Sequence, residues 1–174
     1  MARWYRRYRR SSYRRTGKHW SPTTQVVNTQ TSSGSQKSLP IAFNHTGERV
    51  GSSYPIGPIM KVKYFRLNIV FESSVTVLWA LVYVPDGLPI GKLNVTGTGV
   101  DSMPGALYEP QQFIITSGVY TSQGSSGASA PLRVWTPLAR NLNPGDGVFL
   151  VWQALTTASS IPTVITLNYS SCVN

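Results

Sequence analysis

From Ile59 to Ser73, the stretch IMKVKYFRLNIVFES alternates over its later half. Phe65, Leu67, Ile69 and Phe71 fall on one side of an extended backbone, with Tyr64, Arg66 and Asn68 on the other. Period-two alternation of this kind predicts a strand with one face in a core and one in water. The same pattern returns over Ile161 to Ser171, where Ile165, Leu167 and Tyr169 alternate with Thr166, Asn168 and Ser170. Two other runs, SVTVLWALVYVP from Ser74 and VFLVWQAL from Val148, are apolar on both sides. Such a strand belongs in the middle of a sandwich or against another subunit. Weaker strands are predicted over Gln25 to Thr31, Leu39 to Phe43, Gln112 to Tyr120 and Leu132 to Arg140. The third of these contains Gly118, which predicts a bulge.

Turn signals separate these runs. Pro40, Gly47, Gly51, Pro55, Gly57 and Pro58 punctuate an irregular stretch, Pro85-Asp86-Gly87 turns the chain, and NLNPGDG from Asn141 is a dense turn. Leu88 to Leu107 is a long excursion and Thr121 to Pro131 a small, polar loop. No amphipathic helix is predicted. About eight strands with long connections point to an all-β domain: a single eight-stranded antiparallel jelly-roll sandwich over residues 21–174. An immunoglobulin-like sandwich is the rival, but its Cys–Trp–Cys core is missing. The single cysteine, Cys172, rules out an internal disulfide and a cysteine-based metal cluster. No secretory signal and no membrane-spanning run is expected. The sequons at Asn44, Asn94 and Asn168 are attributed to a Ser- and Thr-rich composition.

Charge changes this picture. Residues 1–20, MARWYRRYRRSSYRRTGKHW, carry Arg3, Arg6, Arg7, Arg9, Arg10, Arg14, Arg15 and Lys18, half of the sixteen basic residues, and no acid. Trp4, Tyr5, Tyr8, Tyr13 and Trp20 are interleaved among them. A block of like charge is a solvated tail by default. Five aromatics fit a tether better: arginines fork onto phosphates while rings stack on bases, at about 1–3 kcal/mol per base. Unstacked bases are what such rings can use, so single-stranded nucleic acid is the expected partner. Lys61, Lys63 and Arg66 are candidates to extend the basic surface, against the alternative of a solvated strand edge.

Catalysis finds no support. His19 and His45 have no partner at a recognisable spacing and read as surface residues. Asp86, Asp101, Glu109 and Asp146 lie in or beside turns, where turn chemistry is the ordinary role of Asp86 and Asp146. A calcium ion shared between subunits is the alternative there. No glycine loop ends in Lys-Ser or Lys-Thr, so no nucleotide-phosphate site is expected. Trp79, Trp135 and Trp152 read as core or interface. The chain is not expected to be an enzyme, and no cofactor or metal is expected.

The arm, SPTTQVV after it, LWALVYVPDG, LYEPQQFIITSG and NLNPGDGVFLVWQAL resemble capsid proteins of small circular single-stranded DNA viruses, the circovirus-like and nanovirus-like groups. The resemblance implies a coat subunit, about 60 copies of which close into an icosahedral shell. Its arm would face inward on a single-stranded DNA genome. It further implies a homo-oligomer found in the virion and, during assembly, in the host nucleus, with Arg6 to Arg15 open to host import factors. Three alternatives stand beside it: a satellite RNA virus capsid, with RNA in place of DNA; a non-assembling single-strand-binding protein; and a jelly-roll lectin.

Overall fold

The computed structural model describes residues 19–45, 58–90, 114–122, 130–155 and 160–173. Among these residues the regular structure is all strand. In chain order the strands are β1 (Ser21–Thr31), β2 (Gln36–Phe43), β3 (Met60–Phe71), β4 (Thr76–Val84), β5 (Ile114–Thr121), β6 (Leu132–Thr136), β7 (Arg140–Leu142), β8 (Gly147–Ala154) and β9 (Ile161–Val173). They form two antiparallel sheets. One runs β1-β9-β3-β6, with β7 also on β3, and the other runs β2-β8-β4-β5.

The alternation in the sequence decides which face of each strand is dry. Phe65, Leu67, Ile69 and Phe71 of β3 are buried together with Ile165 and Leu167 of β9, and they meet Val77, Leu81, Val148 and Leu150 from the second sheet in one core. Burying an aliphatic or aromatic side chain of this size contributes about 1.5–3 kcal/mol, which is why the pattern dominates the fold. The two strands that are apolar on both sides, β4 and β8, are neighbours in the middle of their sheet. Their second face buries Ala80 and Val151 under Leu78, Val82, Ile90 and Phe149. A polar chain ties the sheets together inside the core: the Trp152 indole donates to Thr31 Oγ1 at 2.9 Å, and Thr31 Oγ1 lies 2.8 Å from Thr163 Oγ1.

Two expectations need correction. The run from Leu132 to Arg140 is two strands rather than one, making nine among the described residues. Pro137 has no N–H for the ladder, and the hydroxyl of Thr136 takes the next free amide, Leu138 N, at 3.2 Å. Gly118 marks no bulge. It stays in register with Trp79, and the irregularity in that ladder falls between Leu81 and Val82. A Cβ at Gly118 would sit 3.0 Å from the Trp79 ring, so glycine is there to let the indole lie across the strand. Of the three tryptophans read as core or interface, Trp79 and Trp152 lie in the core and Trp135 is 60% exposed.

Candidate nucleic-acid interface

The outward face of the β1-β9-β3-β6 sheet is built in rungs. One rung runs Thr24, Asn168, Arg66, Trp135 across the four strands, and the next runs Val26, Thr166, Asn68, Arg133. Thr24 donates its hydroxyl to Asn168 Oδ1 at 2.5 Å, which fixes one end of the first rung. In β6 the buried set Leu132, Val134 and Thr136 leaves Arg133 and Trp135 to the solvent side, so a guanidinium and an indole point the same way. Shallow grooves flank the Arg66–Trp135 pair on both sides. One extends to Tyr64, Asn168 and Ser170, the other to Asn68, Val70 and Arg133.

A bulge in β3 adds to this face. Lys63 pairs with Ser170 and Arg66 with Asn168, so Tyr64 and Phe65 together oppose Tyr169. The extra residue shifts the phase of the alternation, so Val62 and Phe65 both enter the core while Lys63 and Tyr64 both stay outside it. Tyr64 takes φ 58°, a left-handed conformation rare for a residue with a large side chain, and remains half exposed. Lys63 Nζ sits 3.8 Å from the centre of the Trp20 ring and 4.6 Å from that of Tyr64. Cation–π contacts of this kind contribute about 0.5–1 kcal/mol each at exposed sites. They hold the last residue of the arm against this face.

The two sheets differ in charge. The strands of the first carry Lys61, Lys63, Arg66, Arg133 and Arg140, those of the second only Lys37, and neither set contains an acid. Of the predicted contacts, Lys63 and Arg66 lie on the outward face, and strand alternation puts Lys61 on the same side as Lys63. Arg3, Trp4, Tyr5, Arg6, Arg7, Tyr8, Arg9, Arg10, Tyr13, Arg14, Arg15 and Lys18 lie outside the described residues, as do Asp101 and Glu109. His19 and His45 are exposed, and His45 leans on Phe43 with ring centres 4.6 Å apart.

Sequence reasoning passed over Trp135 and Arg133 as contacts. The signal was present in LRVWT, whose alternation puts the two on one side, but a tryptophan in a strand is more often packed than wet.

Asp146 does turn work. Its carboxylate accepts from Tyr83 Oη at 2.7 Å, Asp86 N at 3.0 Å, Asn143 N at 2.9 Å and Asn143 Nδ2 at 3.2 Å. Beside it the buried Asn44 donates to Leu142 O at 2.9 Å and Pro58 O at 3.0 Å, bonds a glycan on that amide would break. Among the described residues no group of three His, Cys, Asp or Glu side chains is placed to hold a metal ion.

No protein-family model matches this chain, and no curated protein matches it either.

Proposed function

We propose that the chain is the coat subunit of a small virus, a jelly roll that assembles into a closed shell and packages a single-stranded genome. The observation that carries this reading is the partition of charge. The arm holds eight cations, and its last residue, Trp20, packs on the sheet that bears five of the six strand cations. A polyanion gathered by the arm would therefore meet a second basic surface, while the other sheet is left nearly uncharged. The jelly-roll assignment is supported by strand order. Counting β6 and β7 as one strand broken at Pro137, both being partners of β3, gives two four-stranded sheets. The chain then switches sheet at every connection except β4 to β5, as two interlocked Greek keys require.

In this reading the apolar strands β4 and β8 form the stiff centre of the neutral sheet, and closed heterologous contacts between copies build the shell. The genome is single-stranded because arm and sheet both present rings, which need unstacked bases. DNA is preferred to RNA on the resemblance alone. Purified full-length protein viewed by negative-stain electron microscopy should form uniform small spheres, and nucleic acid extracted from them should be sensitive to a single-strand nuclease. Monomers alone, across salt and pH, would overturn the shell.

One observation favours a second reading, a protein that coats single strands without assembling. The exposed Tyr64 and Trp135 supply what such a protein needs on its body. The same micrographs separate the two, because only a coat subunit makes closed particles.

A further inference from the structure

The geometry points to a base-stacking site on the body itself: a run of single-stranded nucleic acid lies across the Arg66–Trp135 rung, with a base in the groove on either side. This rests on the nucleic-acid part of the function proposed above, but not on shell assembly or on the arm.

Three independent features converge there. First, Trp135 leaves 60% of its surface in water although it stands in a strand whose neighbours Val134 and Thr136 are buried. A large ring held in the open between two arginines, Arg66 beside it across the ladder and Arg133 two positions back, is a platform rather than packing. Second, Tyr64 keeps a positive φ of 58° at the edge of the same groove. Strained backbone of this kind persists where the surrounding structure imposes it, and it clusters at binding sites. Here the bulge in the β3–β9 ladder imposes it, and the result is a second exposed ring beside Arg66. Third, the charge is complementary: Lys63, Arg66 and Arg133 surround the rings, and the strands of this sheet contain no carboxylate.

Spacing agrees. Same-face positions along a strand recur about every 6.7 Å, roughly twice the ~3.4 Å rise of stacked bases. A base on each side of the indole therefore meets the side chains of the neighbouring rungs. On one side this is Tyr64, with the amide of Asn168, from the Arg66–Trp135 rung itself, lining the same groove within reach of a base edge; on the other they are Asn68 and Arg133.

The test uses full-length protein and single strands carrying 5-iodouracil bases, one of DNA and one of RNA, cross-linked by light and mapped by mass spectrometry. Adducts at Tyr64 or Trp135 are expected with at least one of the two, and which one tells the sugar preference. Adducts confined to residues 1–20 would overturn the site, as would equal adducts with a perfect duplex.

Affinity gives a second readout. In a full-length background with Arg6, Arg7, Arg9 and Arg10 changed to alanine, Trp135→Leu should weaken the remaining single-strand binding about tenfold without altering its salt dependence. Trp135→Phe, which keeps a ring, should retain most of it. Arg66→Ala with Arg133→Ala should instead flatten the log–log salt slope by about 1.4. Unchanged binding by Trp135→Leu would overturn the site. Shells with arm-only cross-links would sink this site and spare the coat function; adducts at Trp135 without shells would do the reverse.

Discussion

At the scale of single residues the most informative group is Tyr83, whose hydroxyl donates to Asp146 at the corner where β4, the turn after it and the loop into β8 meet. Burial pushes the Tyr83 phenol up to about 12. The hydrogen bond to Asp146 and the charge of that carboxylate act in the same direction, and the nearby Arg140 opposes them. An unfolded tyrosine ionises near 10.0, so between that pH and about 12 the unfolded chain has lost a proton that the folded one still holds. Stability from this corner is therefore complete below pH 10 and declines as pH rises toward 12. Urea midpoints measured from pH 9 to 11.5 should fall in the native protein, and Tyr83→Phe should remove part of that fall. Equal slopes in the two proteins would show that the corner is not what titrates. The neighbouring Gly145 belongs to the same arrangement. Its φ is +90°, and a Cβ there would come within 2.5 Å of the Asp86 carboxyl, so NLNPGDG is read correctly as a turn for a reason that includes a close approach.

At the scale of elements, the β3 bulge is where strain and candidate function coincide. Tyr64→Gly should relieve about 1–2 kcal/mol of left-handed strain. Glycine costs roughly 0.5–1 kcal/mol in lost chain entropy, so the net gain in stability should be about 1 kcal/mol or less. Single-strand affinity should fall in the same variant, since the ring is gone. Thermal unfolding and a binding titration on one preparation check both halves. A loss of stability would mean that Tyr64 packs to more purpose than its exposure suggests. Legibility was uneven at this scale. The alternation of β3 and β9 placed their core faces correctly, because each buried methylene is worth about 0.8 kcal/mol and the pattern is long. The break at Pro137 was missed although the proline was in plain view, because the apolar pattern on its two sides runs on. The role of Gly118 was also missed, since nothing local says that the Trp79 indole will cross it.

At the scale of the whole molecule, arm and body are two electrostatic objects of one chain. If the arm's arginines neutralise phosphates, replacing Arg6, Arg7, Arg9 and Arg10 by alanine should flatten the log–log salt dependence of single-strand binding by about 2.8, the value for four lost contacts. Replacing Tyr5, Tyr8 and Tyr13 should lower affinity while leaving that slope nearly unchanged, because stacking releases no counterions. Filter binding at several salt concentrations measures both. If the tyrosine changes do nothing, charge alone holds the strand.

Composition and alternation by themselves determined that this is an all-β chain, which faces of β3, β4, β8 and β9 are dry, and that half the basic residues sit in the first twenty positions. These are local properties: side-chain direction in a strand follows from its period of two, and charge is additive along a chain. Only the tertiary structure decided which strands are neighbours, since Ser21 finds Ser171 and Arg66 finds Trp135 across separations that no local pattern encodes. It also decided that Lys63 meets Trp20 and that Trp135 faces water beside two arginines. A binding face is a property of several strands in register, and register is settled only when the core they share is packed.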